Sequence, residues 1–388
     1  MLPKTCKESS FLLFLSTQEE LNAFCERASA SRVIAVDTEF LREKTYYPRL
    51  CLVQVNTGSE IACVDPISIP NLDPLAELFE DPDVVKVFHA CSQDLEVIYD
   101  AMGCVCENVF DTQVAAAFLG LRQQIGYGQL VESFCGVHLA KAEALTDWSR
   151  RPLDPEQLVY AEDDVRYLPS IYEQMISKLI KLDRLSWVGP EMREVSDPAR
   201  IKKDPLDAYL KLRRANSLTR RQLAVAREVC CWREEAAAAR DVPRKWLLSD
   251  EVIVEICRRT PTALPRLRRV RGLEKTPEAE ARAIIAAVEK GLACPADQCP
   301  VPVKRPKPSA DSEGAVDLMM AVVKVVADKA GLAPQVLATK DDLVEYLAAA
   351  EGSRLSSGWR GELVGKPLSR LLAGELGLTL VDGKIELL

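Results

Sequence analysis

The stretch SRVIAVDTEF (Ser31–Phe40) decides the fold of this chain. It is rich in β-branched residues and alternates with a period of two, which predicts a strand. Residues two apart on a strand share a face, about 6.5–7 Å from each other, so Asp37 and Glu39 stand together. A divalent cation relieves the cost of burying two such carboxylates. The pair therefore indicates a metal site, with an exposed strand end as the plainer alternative.

The sequence on the C-terminal side of this strand alternates between strands and helices. Strands at Leu50–Val55 and Ile61–Val64 are expected to continue the first one as an antiparallel meander. Three strands followed by alternating helices and strands predict an α/β domain with a mixed sheet. The later elements are helices at Pro74–Glu80, Ser92–Ala101, Thr112–Leu119, Gln129–Phe134 and from Asp154 onward, and a strand at Val84–Phe88.

The second half of the chain is predicted to be helical. We expect a nuclease-sized α/β domain at 1–195 and a helical bundle at 203–292. Residues 293–312 hold several prolines and little apolar periodicity, which is typical of a linker. A second helical bundle is expected at 313–388. The two bundles could be distant duplicates of each other.

Composition excludes several classes of protein. The chain has 388 residues, 48% of them hydrophobic, which is enough for two to three domains. Its 13 cysteines form no CxxC pair and its two histidines lie near no matching cysteine, so zinc-site spacing is absent. No signal-type apolar segment occurs, and no run approaches the roughly 20 apolar residues that span a bilayer. We expect a cytoplasmic protein with reduced thiols and no membrane contact.

Charge is distributed unevenly along the chain. The formal net charge is −8. Residues 1–200 carry roughly −14 and residues 201–290 roughly +8. The acidic half could host metal ions and the basic segment could hold phosphates. Solvated charged helix faces are the alternative explanation of the same pattern.

Two further elements carry residues that suit a catalytic site. Tyr160 and Asp164 are four apart on a predicted helix, so both face the same way. Asp94 lies in the first turn of a helix that follows a buried strand, where ligands gather in α/β sheets. The alternatives are a half-buried tyrosine on an amphipathic helix and an aspartate that favours a helix dipole. His89, just before Asp94, could equally be a structural histidine.

Taken together, these residues resemble the DEDD exonuclease superfamily. The tyrosine four residues before the last aspartate is the mark of its DEDDy branch, and the surrounding sequence is similar to RNase D. The resemblance spans roughly residues 10–190 and implies an RNase H-like exonuclease domain. The matching runs are Val36–Phe40, Thr45–Leu50, His89–Glu96, Asp147–Leu153 and Tyr160–Leu168.

The resemblance also implies a role for each site residue. Asp37 would bridge two divalent metal ions, and Glu39 and Asp164 would complete the site of the ion that activates water. Asp94 would support the second ion through water, and Tyr160 would orient the attacking water.

Oxygen ligands suit Mg²⁺, and Mn²⁺ could substitute for it. Two such ions clamp the attacking and leaving oxygens of a phosphodiester. Candidate contacts to the terminal nucleotide are Thr38, Phe40 and His89. Phe40 could stack on a base or belong to the core.

The helical half resembles the HRDC domain, a small bundle associated with nucleic-acid binding. The match rests on Leu206–Tyr209, Leu223–Trp232 and the run from Val242 to Asp250. Within it we expect Ser249 or Asp250 to cap a helix and Trp246 to lie in the core. Six arginines between Arg258 and Arg271 fit phosphate contacts or a solvated face. We expect residues 313–388 to be a divergent second copy that packs against the nuclease domain.

The sequence therefore predicts a metal-dependent 3′→5′ exoribonuclease. The resemblance implies release of nucleoside 5′-monophosphates from RNA with a free 3′ end, with tRNA precursors as the expected substrate and a monomer as the expected state. Two alternatives remain open at this point. One is a DNA exonuclease with the same chemistry, because the sequence shows no contact to a 2′-OH. The other is an inactive RNA-binding scaffold, although all four acids and the tyrosine are present.

Overall fold

The computed structural model describes residues 12–140, 146–302, 310–348 and 352–388. Its first part is built on a six-stranded mixed sheet. The strands are β1 (Leu12–Leu15), β2 (Val33–Leu41), β3 (Arg49–Asn56), β4 (Ile61–Val64), β5 (Val85–Phe88) and β6 (Val109–Asp111). They lie in the order β1-β4-β3-β2-β5-β6.

The centre of the sheet is the predicted meander. β2 pairs antiparallel with β3, and β3 with β4, whereas β1 joins β4 and β5 joins β2 in parallel. Sequence periodicity predicts neither β1 nor β6, because strands of four and three residues carry too little of it. Both occupy the edges of the sheet.

Helices cover both faces of this sheet. Helices α1, α2 and α3 pack on one face, around Phe24, Leu75 and Leu95. Helices α4 to α8 pack on the other, where α6 lies over β2, β3 and β4. The helices are α1 (Gln18–Ala28), α2 (Asp73–Glu80), α3 (Ser92–Met102), α4 (Thr112–Phe118), α5 (Tyr127–Cys135), α6 (Pro155–Arg166), α7 (Leu168–Lys181), α8 (Leu185–Val195) and α9 (Pro198–Ile201).

The start of α6 follows the predicted pattern. Pro155 is the first helical residue, and the Asp154 backbone N–H donates to Gln157 Oε1 at 2.8 Å. The expected kink at Pro169 is a full break, because α6 ends at Arg166 and α7 starts at Leu168. At that end the Asn56 side-chain amide donates to the carbonyls of Val165 and Arg166, at 3.0 and 3.2 Å. This contact fixes α6 to β3.

The second part is a helical bundle. Its helices are α10 (Arg220–Arg240), α11 (Arg244–Leu247), α12 (Asp250–Arg259), α13 (Leu264–Leu267) and α14 (Glu278–Ala293), preceded by 3₁₀ turns at Pro205–Lys211 and Ala215–Ser217. Ser249 caps α12 as expected, since its Oγ accepts from the Val252 N–H at 3.4 Å. A Cβ at Gly291 would lie 2.5 Å from the Val225 Cα, so only glycine allows α14 to approach α10 this closely.

The third part repeats the start of the second. Its helices are α15 (Ala310–Ala330), α16 (Pro334–Leu337), α17 (Lys340–Ala348), α18 (Gly358–Arg360) and α19 (Lys366–Leu372), the last two joined by the π-helical turn Gly361–Gly365. Helices α15 and α16 match α10 and α11 in length, and α15, α16 and α17 begin 90 residues after α10, α11 and α12. Thr339 caps α17 as Ser249 caps α12. Residues 303–309 of the expected linker lie outside the described residues.

The third part departs from an all-helical bundle at its C-terminal end. Strands β7 (Leu378–Val381) and β8 (Lys384–Leu387) form a hairpin. Its two turn residues, Asp382 and Gly383, have φ values of +50° and +76°. An Asp-Gly pair between alternating residues is a strong hairpin signal, because both turn positions need positive φ. The helical expectation is wrong here because it overlooked that pair.

Both helical parts are attached to the nuclease part. Trp187 on α8 stacks on Trp359 with ring centroids 5.1 Å apart, and Arg360 donates to both oxygens of Glu191 at 2.6 and 3.1 Å. The expected packing of the last part against the nuclease domain is thereby confirmed. The second part is held by Asp241, whose Oδ1 accepts from the Tyr46 and Tyr47 backbone N–H groups at 3.0 and 3.2 Å.

Trp246 does not lie in the core, and the expectation that it would is wrong. Its side chain is 66% exposed, whereas Leu248 is buried in the bundle. The reason is that α11 is a single turn at the surface of the bundle. One turn cannot bury all its apolar residues, and Leu248, just after it, occupies the core position.

Candidate active site

Three carboxylates converge where α6 crosses the sheet. Asp37 and Glu39 project from β2 towards α6, and Asp164 comes from α6. One carboxylate oxygen of each lies within 4.8 Å of the others. All three side chains are half-buried. Residues 125 or more positions apart in the chain are thus brought together by the packing of one helix on one strand.

Tyr160 lies one turn before Asp164 on the same face of α6. Its hydroxyl donates to the Asp164 carboxylate, and its ring lies 6.0 Å from that of Trp148. Trp148 is buried, and Arg151 anchors the segment that carries it. The Arg151 guanidinium donates to both Asp65 oxygens, at 2.9 and 2.6 Å, and to the Cys51 carbonyl at 2.6 Å. The run Asp147–Leu153 therefore supports the tyrosine ring.

Asp94 approaches from the other face of β2. Its Oδ1 accepts a hydrogen bond from the Thr38 hydroxyl at 2.5 Å, and Thr38 lies between Asp37 and Glu39 on β2. The structure thus puts Asp94 beside the cluster but outside the group of three whose oxygens lie within 4.8 Å of one another. Its negative charge still helps to raise the pKa of Asp37 and of Glu39.

Asp111 fixes the position of Asp94, and the sequence analysis missed it. Its carboxylate accepts from the backbone N–H groups of Ala90 at 3.1 Å and Cys91 at 2.9 Å, just before α3. It also accepts from the Gln113 N–H at 2.8 Å and so caps α4. Ala90 has a φ of +63°, a strained value that these bonds hold. The signal in the sequence was an aspartate directly before a predicted helix.

The electrostatics of the cluster favour a cation. Burial, together with the neighbouring carboxylates, raises the pKa of Asp37 well above its usual range and that of Glu39 to about 8. Burial likewise raises the pKa of Asp164 to about 7 and that of Asp94 to about 6. Burial, with added repulsion from the neighbouring acids, therefore favours proton retention by Asp37, Glu39 and Asp164 near neutral pH. An all-oxygen donor set of this kind fits a hard divalent cation.

Tyr160 keeps its proton at neutral pH. Burial, followed by the charges of Asp164, Glu39 and Asp37, raises the pKa of its hydroxyl above the ordinary value. A phenol of this kind is a hydrogen-bond donor and a poor general base.

The three expected nucleotide contacts have different surroundings. Both ring nitrogens of His89 are engaged, by the Thr112 hydroxyl at 2.9 Å and the Ile125 carbonyl at 3.0 Å, and burial lowers its pKa. Thr38 uses its hydroxyl on Asp94. Phe40 is half-buried against the core on the α3 side, with the Arg42 guanidinium 5.9 Å from its ring centroid.

A groove of about 660 Å³ runs along the exposed side of α6 and reaches the cluster. It begins at the N-terminal end of that helix, near Asp154, and ends at Tyr160 and Asp164. On the other flank Tyr127 is tied to α6, because its hydroxyl donates to the Asp163 carbonyl at 2.8 Å. The acids therefore lie at the end of an open groove rather than in a closed cavity.

Comparison with known proteins agrees with this geometry. Residues 13–180 match the family model for a 3′-5′ exonuclease, and residues 222–287 match that for the HRDC domain. Ribonuclease D of Granulibacter bethesdensis is 37% identical over 378 residues, covering 95% of this chain and 94% of the relative. That of Acidiphilium cryptum is 37% identical over 382 residues, covering 96% of each. The chain belongs to the ribonuclease D family.

Solved structures of relatives support this placement. The crystal structure of Escherichia coli RNase D superposes with a TM-score of 0.82 at 30% identity, covering 94% of this chain and 99% of that one. The catalytic core of RRP6 from Trypanosoma brucei gives a TM-score of 0.53 at 26% identity, with coverages of 73% and 80%. As a ribonuclease D, this protein is a 3′→5′ exoribonuclease that acts on RNA and depends on divalent metal. None of the described helices is long and apolar enough to cross a membrane.

The raised pKa of Glu39 gives a testable pH dependence. The unfolded chain releases this proton near the ordinary value of 4.5, whereas the folded, metal-free protein holds it up to about pH 8. The folded state therefore loses stability as pH rises between those values. We expect Glu39→Gln to remove this loss, so that its Tm in EDTA exceeds that of wild type by a margin that grows from pH 5 to pH 8. If the Tm values of wild type and Glu39→Gln changed in parallel with pH, the raised pKa of Glu39 would be contradicted.

Proposed function

We propose that the acidic cluster holds two divalent ions, Mg²⁺ by preference with Mn²⁺ as a substitute. Asp37 would touch both ions, and Glu39 and Asp164 would complete the site of the ion that activates water. Asp94 would support the second ion through water. The observation that carries this proposal is the approach of three carboxylate oxygens to within 4.8 Å beneath α6. Their raised pKa values support it, because a divalent cation relieves the cost of burying such crowded carboxylates.

The protein's own groups would then direct the hydrolysis of the last phosphodiester. When bound, the ions stabilise the negative charge on the attacking and leaving oxygens. Tyr160, fixed by Asp164 and Trp148, would orient the attacking water by accepting a hydrogen bond from it, since the phenolic proton is donated to Asp164. Phe40 is retained as a nucleotide contact. Thr38 and His89 are better assigned to holding Asp94 and the Ile125 loop, because their polar atoms are already bonded there.

We further infer the biological setting of the reaction. Nucleoside 5′-monophosphates would be released one at a time from the 3′ ends of tRNA precursors and other structured RNAs, in the cytoplasm, by a monomer. The E. coli relative is described as involved in structured RNA processing, which supports this substrate class.

The proposed division of the chain is 1–195 for the nuclease, 203–292 for the HRDC domain and 313–388 for a second HRDC-like domain. The 90-residue repeat supports the last assignment, although α15 begins slightly earlier, at Ala310.

The surface of α11 is a second place where we infer RNA contact. Exposed Trp246 lies beside Arg244 and Lys245, in the basic part of the chain. Asp241, three residues before α11, accepts hydrogen bonds from the turn Tyr46-Tyr47, which follows the strand that carries Asp37 and Glu39. An exposed aromatic ring next to two cationic residues suits a strand of RNA, because bases of any sequence stack on it.

Substitution of Asp37 tests the metal assignment. We expect Asp37→Ala to slow removal of nucleotides from a 5′-labelled tRNA precursor by at least about 10²-fold, because it removes the ligand shared by both ions. Tyr160→Phe should slow the reaction less, since only water positioning is lost. EDTA should abolish wild-type activity, and Asp83→Ala, an exposed carboxylate elsewhere, should have no effect. Near-normal activity of Asp37→Ala would refute the assignment.

Substitution of Trp246 tests the contact at α11. Loss of one stacked base corresponds to about 1–3 kcal/mol, so Trp246→Ala should raise the KM for a single-stranded RNA about tenfold with little change in kcat. Trp246→Phe should recover most of the loss, and Leu318→Ala, an exposed apolar residue of α15, serves as the control. An unchanged KM for Trp246→Ala would exclude the stacking role.

A further inference from the structure

Gln54 is anomalous among the buried polar residues of the sheet. Its side chain, on β3, is completely inaccessible to solvent. Neither its Nε2 nor its Oε1 has a hydrogen-bond partner in the described chain. Buried amides are nearly always bonded, because an unmet donor or acceptor loses its hydration without compensation. An amide without hydrogen bonds in this buried position therefore suggests that it has a hydrogen-bond partner in another state of the protein.

The register of the sheet places Gln54 beside the acidic cluster. Gln54 pairs directly with Asp37 across β2 and β3, and with Cys63 across β3 and β4. Directly opposed residues of antiparallel strands share a face, with Cβ atoms about 4.5–5.5 Å apart. The amide thus stands on the same face as the Asp37 carboxylate, within reach of a side-chain hydrogen bond.

Helix α6 closes this space from above. Two residues before Gln54, Leu52 packs with Ala161, and two residues after it the Asn56 amide is bonded to the Val165 carbonyl. Gln54 therefore lies under the turn of α6 between Ala161 and Val165, which also carries Asp164. Water has no access to the amide there, so its partner has to come from the cluster itself or from the sheet.

We propose that Gln54 is a positioning residue for the metal centre: in the metal-bound enzyme its Nε2 donates to the Asp37 carboxylate. This inference rests on the metal assignment made above. The hydrogen bond would fix the rotation of the Asp37 carboxylate, so that its oxygens face the ions. The Oε1 atom would then point towards Cys63, the register partner of Gln54 on β4, whose thiol can donate to it.

The residue type at this position fits the role. An amide supplies a donor without adding charge, whereas a carboxylate at position 54 would increase the repulsion among the acids. An apolar side chain of similar size would fill the space but leave the Asp37 carboxylate free to rotate. Groups that orient metal ligands from behind typically contribute 10–100-fold to metal affinity. Removing the amide should therefore weaken metal binding and have little effect on folding stability.

The test compares Gln54→Met with wild type in the full chain. Titration calorimetry with Mn²⁺ and Mg²⁺ should give a dissociation constant about 10–100-fold higher for the variant. In EDTA its Tm should equal or exceed that of wild type, because methionine fills the site and removes the orphaned amide. Gln54→Leu provides a second apolar variant should methionine pack poorly.

Asn56 offers a matched control, because it is an amide on the same strand and face whose donors are satisfied. Asn56→Leu should lower the metal-free Tm, since it frees the end of α6, and retain most of the metal-induced rise in Tm. The rate of Gln54→Met should also recover as Mg²⁺ is raised, which a purely structural role would not produce. We therefore expect Gln54→Met to weaken metal binding without lowering the metal-free Tm, and Asn56→Leu to do the opposite.

The outcomes separate this inference from the metal assignment itself. Equal metal dissociation constants for Gln54→Met and wild type would overturn the role of Gln54. If Asp37→Ala binds metal as tightly as wild type, the metal assignment fails instead. Loss of binding in Asp37→Ala with unchanged binding in Gln54→Met would leave the metal site in place and reject only the positioning role.

Discussion

Repulsion among carboxylates held together below α6 is the constraint on which the rest of the structure depends. Asp37 and Glu39 cannot separate because they are fixed on one strand, and Asp164 cannot withdraw because α6 packs across β2, β3 and β4. Without a cation the acids tend to retain protons, because burial and then repulsion from neighbouring carboxylates raise their pKa values. A divalent cation offsets the cost of crowding these carboxylates, so the same arrangement favours metal binding. The rigidity of the fold keeps the carboxylates close together.

That rigidity comes from polar contacts placed around the cluster. Asp111 holds the strained Ala90 and so sets the start of α3, and Arg151 anchors the segment beneath Trp148 and Tyr160. Thr38 ties Asp94 to the central strand. Two of these contacts act on Asp94 and one on the tyrosine, so the geometry of the centre is determined from several directions. Gln54 completes this arrangement if it takes Asp37 as its partner.

The sequence predicts those parts of the molecule that repeat or alternate. The period of two in Val33–Phe40 revealed both the strand and the shared face of its acids, and the capping pattern at Asp154 located α6. Convergence of Asp164 with Asp37 came from the family resemblance, because no local pattern encodes a contact between distant segments. Trp246 was misplaced since a single helical turn has no periodicity to mark its buried side. Gln54 escaped notice because an isolated glutamine in an apolar strand becomes informative only when its missing partners are seen.

The most direct test of the central claim is anomalous diffraction from crystals of the enzyme grown with Mn²⁺ and a nucleoside 5′-monophosphate. Two manganese peaks about 4 Å apart are expected, both in contact with Asp37. One should also touch Glu39 and Asp164, and the other should reach Asp94 through water. Manganese peaks found only outside the cluster, or a peak at the cluster that makes no contact with Asp37, would contradict the account.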